Sequence, residues 1–318
     1  MGKKIIAVVG ATGAQGGGLA RAILSDPNSE FAVRAVTRKP ESEKARALAA
    51  LGADVVAADL NDVDSLVRAF EGAYGAFCVT NYWELFSPER ERQQAHNLAT
   101  AAKRANLQHV IWSTLEDTRK DVPLDDDRMP TLMGKYKVPH FDAKGEADAD
   151  FVELGVPTTF LRASFYWENF VYFGMNPKRG EDGILQLVMP MGDKKLSGIA
   201  AVDIGKCAYG IFKRGPELVG QVIGVAGDEL TGEQIAAALG SALGEPVRYV
   251  NVSPATYRSF GFPGADDLCN MFQYYQEFEA ELAATRSVAR SRELNPELQD
   301  FTQWVTQNAA LIPIEAAV

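Results

Sequence analysis

The stretch Lys4-Ile-Ile-Ala-Val-Val-Gly10-Ala-Thr-Gly13-Ala-Gln-Gly16-Gly-Gly18 decides the fold. Its apolar run between Lys4 and Gly10 predicts a buried strand, and the glycines that follow predict a tight turn opening a helix. The spacing is G-x-x-G-x-x-G. In that context Gly10 permits the turn, Gly13 lets the backbone approach a pyrophosphate, and Gly16 lets the helix pack on the strand. The helix N-terminus would then stabilise the phosphate charge, so the stretch predicts a dinucleotide site.

The first half of the chain repeats this strand-then-helix rhythm. Short β-branched runs predict strands at 4–9, 31–37, 54–57, 75–80, 109–113 and 158–162. Amphipathic stretches between them predict helices at 17–24, 41–51, 63–70, 88–105 and 141–154. This alternation predicts an α/β fold, a Rossmann doubly wound parallel sheet.

The second half is less regular, with strands expected at 185–189, 221–225 and 248–252 and a helix at 231–243 opened by a capping box. We therefore predict an NADP(H)-binding Rossmann domain over 1–162, with sheet elements contributed from later segments, and a smaller α+β C-terminal domain for a substrate or partner over 163–318. The segment 116–139 breaks the rhythm and is expected to be a long loop beside the cofactor crevice, a position typical of lids.

Composition excludes several classes of function. The 318 residues carry a formal net charge of −10 and no long run of Lys or Arg, which argues against direct nucleic-acid binding. No apolar run is long enough for a signal peptide or a membrane span. Cys78, Cys207 and Cys269 lack metal-ligand spacing, so we expect reduced core thiols, no metal site and a cytoplasmic location.

The end of the second predicted strand indicates which dinucleotide is bound. NAD-selective sites place a carboxylate there to bind the ribose hydroxyls, whereas this chain has Thr37-Arg38-Lys39. The guanidinium of Arg38 suits a 2′-phosphate and can stack on adenine, so NADP(H) is predicted. The alternative is that Arg38 and Lys39 are ordinary solvated charges.

Other strand ends predict further cofactor contacts. Asp59 and Leu60 follow the third strand and are expected at the adenine, although Asp59 could equally cap the next helix. Thr80, Asn81 and Tyr82 close the fourth strand and are expected to line the crevice. The aromatic run Tyr166-Trp167-Glu168-Asn169 follows the sixth strand, where it could cover the nicotinamide or serve as a core cluster.

The expected catalytic tyrosine is missing. Short-chain dehydrogenases use Tyr-x-x-x-Lys on a helix, and here the matching stretch is His140-Phe-Asp-Ala-Lys144. Lys144 can contact the ribose and the nicotinamide, and His140 can donate a proton or be merely structural. Tyr136, four residues before His140, is a substitute phenol, and Ser113-Thr114 end the fifth strand, where short-chain enzymes carry a substrate-orienting serine.

These residues resemble the NmrA-like family of atypical short-chain dehydrogenase/reductases, and the resemblance covers nearly the whole chain. The matching stretches are Gly10-Ala-Thr-Gly-Ala-Gln-Gly16, Val36-Thr-Arg38, Val79-Thr-Asn-Tyr-Trp-Glu84, His140-Phe-Asp-Ala-Lys-Gly-Glu146, Tyr166-Trp-Glu-Asn169 and Gly261-Phe-Pro-Gly-Ala-Asp-Asp-Leu-Cys-Asn-Met-Phe272. The resemblance implies that Thr12, Gly13, Ala14 and Gln15 contact the pyrophosphate. Relatives carry a lysine near the start of the fourth helix, where this chain has Arg92 and Gln93.

The resemblance also implies two alternative functions. Family members bind NADP(H), generally lack the tyrosine and are regarded as sensors of the NADPH/NADP ratio that change protein partners; this is the leading prediction. The other is an NADPH-dependent reductase of a carbonyl, quinone or activated alkene, using Lys144 with His140 or Tyr136. A protein partner, a small-molecule substrate, and a monomer or homodimer are all compatible with the sequence.

Overall fold

A parallel seven-stranded sheet forms the centre of the protein, whose computed structural model describes residues 2–314. The strands are β1 Lys4–Val9, β2 Phe31–Thr37, β3 Asp54–Ala57, β4 Gly75–Cys78, β5 His109–Thr114, β6 Thr158–Arg162, β7 Phe165–Tyr166, β8 Lys178–Arg179, β9 Leu185–Met189, β10 Lys195–Ile199, β11 Val222–Gly224, β12 Asp228–Thr231 and β13 Val247–Asn251. The central sheet has the order β11-β6-β5-β4-β1-β2-β3. The strand order reverses between β1 and β4, which places a crevice at their carboxyl ends.

Helices cover both faces of this sheet and build the remainder of the chain. They are α1 Ala14–Ser25, α2 Glu43–Ala50, α3 Val63–Phe70, α4 Pro88–Arg104, α5 Pro139–Glu153, α6 Asn169–Tyr172, α7 Ala201–Arg214, α8 Gly232–Leu243, α9 Pro254–Ser259, α10 Ala265–Glu277, α11 Glu279–Thr285, α12 Val288–Leu294 and α13 Phe301–Asn308. The predicted Rossmann fold is confirmed. Among residues 2–314, the structure contains no helix that is both long and apolar enough to cross a membrane.

Several boundaries differ from the predictions by one to three residues, and two of them have a plain physical reason. The fourth strand ends at Cys78 rather than residue 80, because the chain turns there into the crevice. Helix α1 begins at Ala14 rather than residue 17, because the glycine turn leads directly into the first helical residue. The strand expected at 221–225 is β11, which pairs with β6 and extends the central sheet from the second half of the chain.

The C-terminal part contains two small sheets and most of an apolar core separate from the two at the central sheet. Strands β12, β10 and β7 form one sheet, and β13, β9 and β8 form the other. Thr231 caps α8 with the predicted capping box, in which Thr231 and Gln234 exchange hydrogen bonds. Buried side chains of α10, including Phe272 and Met271, join this core. The α10 helix therefore belongs to a packed layer beside the central sheet.

The segment 116–139 is packed against α10, contrary to the expectation of a lid beside the crevice. The Lys137 ammonium is fully buried and donates to the carbonyl oxygens of Asp126 and Met129, at 2.7 and 2.6 Å. The Asn270 side chain of α10 donates to the Lys137 carbonyl oxygen at 2.6 Å. Internal backbone bonds and buried apolar residues hold the segment in place. Within the described residues, none of the crevice lining comes from it.

Candidate dinucleotide-binding site

A cleft of about 750 Å³ lies at the carboxyl ends of the central strands. Nearly all the predicted site residues lie on the walls of this cleft, although they are far apart in the sequence. The predicted residues that line it are Gly10, Thr12, Gly13, Ala14, Gln15, Gly16, Arg38, Asp59, Leu60, Thr80, Asn81, Tyr82, His140, Lys144, Tyr166, Glu168 and Asn169.

The glycine turn has the shape that a phosphate loop requires. Gly10 has a φ of +66°, in the left-handed region that glycine adopts without strain. A Cβ on Gly16 would lie 2.5 Å from the Gly10 carbonyl oxygen, so only glycine lets α1 approach β1 this closely. The first amides of α1 have no acceptor within their own helix, which makes them donors for an anion. The loop and helix therefore fit a pyrophosphate.

Gln15 connects the phosphate loop to the opposite wall of the cleft. Its side-chain amide donates to the Tyr166 hydroxyl, and its side-chain oxygen accepts from the Ser113 hydroxyl at 2.9 Å. Burial raises the pKa of the Tyr166 phenol, an effect that the bond from Gln15 opposes. Tyr166 is thus a neutral, anchored wall residue.

Arg38 lines the cleft at the carboxyl end of β2, the end where the sequence predicts the adenosine. Its guanidinium forms a bidentate ion pair with Glu84, with N–O distances of 2.8 and 3.1 Å. Glu84 follows Tyr82 and Trp83 in a single 3₁₀ turn after β4. Sequence reasoning did not assign Glu84 a role, because the two residues lie on different strand ends. The cleft therefore has a carboxylate, that of Glu84, next to Arg38. The residues at the end of β2 give no sign of it, because Glu84 comes from the turn after β4.

Asp59 and Leu60 lie at the same end of the cleft. Asp59 accepts hydrogen bonds from the backbone and side chain of Asn61, whereas Asp62 caps α3, so capping by Asp59 is excluded. The Leu60 carbonyl accepts from Asn97 at 2.7 Å. Asn97 in turn accepts from Gln93, one of the two residues that stand where the family resemblance implies a lysine. Gln93 supports this wall from behind and is not among the lining residues.

Lys144 is held in the middle of the cleft by a buried carboxylate. Its ammonium lies 2.7 Å from Glu91 Oε1 and donates to the Thr80 hydroxyl at 2.8 Å. Thr80 also donates to Glu91 at 2.6 Å. Glu91 is only 2% exposed, so its contact with Lys144 is shielded from water. The three groups form a closed polar cluster that fixes where the lysine points.

His140 faces the cleft beside Lys144, and the carboxylate of Asp267, far away in the sequence, orients its ring. Its Nδ1 lies 2.6 Å from Asp267 Oδ1, and its backbone amide donates to Asp267 Oδ2 at 3.3 Å. Its ring packs against Trp83, with 4.7 Å between centroids. Asp267 belongs to the stretch 261–272 that carries the family resemblance. That motif was the only sequence signal for Asp267, and it did not indicate a partner.

Two predicted residues lie outside the cleft. The Trp167 indole packs against Phe301 and Trp304 and lies on Gly198, on the far side of the chain from Tyr166. Tyr136 is 1% exposed and lies in the packed segment rather than in the cleft wall. Of the two alternatives for a proton-bearing group, the structure therefore brings His140 and not Tyr136 to Lys144.

The other end of the cleft is apolar and comes largely from the C-terminal part. Its walls include side chains of α6, the following loop and α10, namely Tyr172, Phe173, Met175, Leu268, Met271 and Tyr275. Burial raises the pKa of the Tyr275 phenol to about 12, so it stays neutral. This end provides room for an apolar group next to His140 and Lys144.

A loop of backbone donors at the switch point of a parallel sheet defines a Rossmann-type dinucleotide-binding protein. Comparison with known proteins gives the family. The model of the NmrA-like family matches residues 2–305, so the chain belongs to the NmrA-like family.

Named relatives and solved structures cover most of the chain. The NmrA-like family domain-containing oxidoreductase FrzB of Cladobotryum sp. is 31% identical, over 86% of this chain and 84% of its own. The NAD(P)H azoreductase of Xenophilus azovorans is 32% identical, over 78% and 77%. The structure of NmrA, a negative transcriptional regulator, in complex with NADP is 27% identical, with a TM-score of 0.76 over 98% and 97%.

Proposed function

We propose that this protein binds NADP(H) along the cleft, in preference to NAD(H), and acts as an NADPH-dependent reductase of an apolar acceptor. The glycine turn and α1 would hold the pyrophosphate, and Arg38 the 2′-phosphate. Lys144 would bind the ribose and the nicotinamide half. The bound cofactor would supply a hydride. Support comes from the site geometry and from the similarity to an azoreductase and to a protein solved with NADP.

The observation that carries the reductase proposal is the His140–Asp267 pair at the cleft wall. Because Asp267 holds the proton on Nδ1, a proton exchanged with a ligand would pass through Nε2. Burial raises the pKa of the Tyr82 phenol, and the charge of Asp267 adds to the effect. Tyr82 and Tyr166 are therefore poor acids, and His140 is the group best suited to protonate a reduced acceptor.

The test is NADPH oxidation with a panel of quinones, enones, aldehydes and azo compounds. We expect His140→Gln and Lys144→Ala to lose about 100-fold or more in turnover. Tyr136→Phe, a matched change outside the cleft, should keep wild-type activity. Arg38→Ala should weaken NADPH binding much more than NADH binding. Turnover that survives in His140→Gln would contradict the assigned role of His140.

A redox sensor is the second candidate function. It is favoured by the single turn 82–84, which places Glu84 at Arg38 and Trp83 at His140 and so joins the two ends of the cleft. Similarity to a negative transcriptional regulator also supports it. Tight NADPH binding without turnover on any acceptor, together with cofactor-dependent changes in protein association, would favour the sensor over the reductase.

A further inference from the structure

Glu84 forms an ion pair with Arg38, the residue that a 2′-phosphate would need as its partner. Both of its carboxylate oxygens accept from the terminal nitrogens of Arg38, at 2.8 and 3.1 Å, and both residues line the cleft. A guanidinium binds a phosphate through the same paired donors that it uses for a carboxylate. The carboxylate and the phosphate therefore compete for one set of donors.

The Arg38–Glu84 ion pair is exposed enough for a phosphate to replace the carboxylate. The Arg38 and Glu84 side chains are 57% and 43% exposed, and exposed pairs of this kind contribute little to stability. Lys39 and Lys44 also line this end, and they would remain after Glu84 leaves. Asp59 is the other carboxylate in this part of the lining. A phosphate dianion beside two carboxylates would be repelled unless one moved away.

A carboxylate at this position could also bind the ribose of NAD(H). Dinucleotide sites that prefer NAD hold the ribose hydroxyls with an acidic side chain. Here β2 ends in Thr37-Arg38-Lys39, and the acidic side chain comes instead from the turn after β4. The chain thus presents both an acceptor for a ribose hydroxyl and a cation for a 2′-phosphate, on two separate elements.

We propose that Glu84 determines the choice between the two cofactors, by competing with the 2′-phosphate for Arg38 and by binding the ribose hydroxyls of NAD(H). NADP(H) then displaces the 82–84 turn from Arg38, whereas NAD(H) leaves the turn in place. This inference depends on the proposed binding of nicotinamide dinucleotides in the cleft, and it adds a residue that lowers the preference for NADP(H).

The first test compares NADPH and NADH binding by calorimetry in wild type, Glu84→Gln and Glu89→Gln. Glu89 is a neighbouring exposed carboxylate that pairs with Lys135 and is absent from the lining, so Glu89→Gln changes the net charge equally. We expect Glu84→Gln to raise the NADPH-over-NADH affinity ratio about five-fold, with a smaller effect at high salt. Glu89→Gln should leave the ratio within about two-fold.

An unchanged or lower ratio in Glu84→Gln would overturn the inference. Circular dichroism would verify that each variant is folded. Failure of the proposed function gives a different result: wild type would bind neither nucleotide, or Arg38→Ala would bind NADPH as tightly as wild type does.

The second test detects the displacement directly, through Trp83 in the same turn. The probes are adenosine 2′,5′-bisphosphate and 5′-AMP, which differ only in the 2′-phosphate. We expect the bisphosphate to change the tryptophan fluorescence and 5′-AMP to leave it nearly unchanged. The change should disappear in Trp83→Phe, which identifies its source among the four tryptophans. Equal responses to both probes at saturation would contradict a displacement caused by the 2′-phosphate.

Discussion

Asp148 on α5 is a carboxylate whose surroundings disfavour its charged form. Burial raises its pKa from 3.8 to about 6, although the Thr114 hydroxyl and the Trp112 indole donate to its Oδ1 at 2.6 and 3.0 Å. The folded protein therefore binds this proton more tightly than the unfolded chain does. Stability from this group is complete below the unfolded pKa and declines as the pH rises from about 4 to about 6.

We predict that Asp148→Asn stabilises the protein at pH 7, because an amide oxygen can accept the same two hydrogen bonds without a charge. A rise of the Asp148 pKa from 3.8 to about 6 corresponds to at most about 3 kcal/mol. Urea unfolding at pH 3.5 and pH 7 would measure the gain, which should nearly vanish at the lower pH. A variant less stable than wild type at pH 7 would show that the carboxylate, not the acid, is the form that the fold requires.

At the scale of elements, the α1–α7 contact positions the phosphate loop. A Cβ on Gly205 of α7 would lie 2.2 Å from the Leu19 amide nitrogen and 2.5 Å from the Gln15 carbonyl oxygen of α1. A Cβ on Gly18 would lie 2.6 Å from the Val202 carbonyl oxygen of α7. The helices thus touch backbone to backbone, through glycines on both. Because α1 opens at the glycine turn, its position also determines that of the cleft wall.

We predict that Gly205→Ala forces α1 away from α7, costing about 2–3 kcal/mol of unfolding free energy and weakening NADPH binding. Gly240→Ala on α8 is the matched control: its Cβ would lie 3.1 Å from the nearest atom, and the gain in helix propensity offsets the mild crowding. Urea unfolding and calorimetry measure the two effects. Lower stability with unchanged NADPH affinity would disprove the coupling between the helix contact and the site.

At the scale of the whole molecule, one buried ion pair joins the C-terminal helices to the central sheet. Arg286, which follows α11, is fully buried and forms two bonds of 2.6 and 2.7 Å with Glu116, just beyond β5. It also donates to the Ala163 carbonyl oxygen, just beyond β6. Burial by itself would raise the pKa of Glu116, but the charge and bonds of Arg286 outweigh it, and the pKa is lowered.

We predict that Glu116→Gln costs about 3–5 kcal/mol of unfolding free energy at pH 7, because it leaves the Arg286 charge buried without a counter-ion. The pair stabilises the protein fully above pH 4.5, the ordinary pKa of a glutamate. This stability is lost as the pH falls through the lower pKa that Glu116 has in the folded protein. The difference from wild type should therefore shrink in acid. Glu217→Gln, in an exposed pair with Arg214, should cost less than about 1 kcal/mol. Equal costs in the two variants would refute the structural role of the buried pair.

Much of the site could be predicted because parallel strands bring their carboxyl ends to one edge. Once the strands were recognised, the positions of Arg38, Asp59 and Thr80 followed from the sheet alone. The sequence left open whether the aromatic run at 166–169 lines the cleft or packs in the core. Both occur, because neighbouring residues in an extended chain point to opposite faces. Tyr166 therefore faces the cleft and Trp167 faces the core.

By itself, the sequence determined the fold, the glycine turn and the cation at the end of β2, because these depend on local patterns and on the rules of parallel sheets. Only the tertiary structure decided which groups pair across elements. Asp267 lies 127 residues from the His140 that it orients, and Glu84 lies 46 residues from Arg38. No periodicity encodes such pairs, since each depends on where two separately folded elements meet. The charge balance of the cleft was therefore determined by packing.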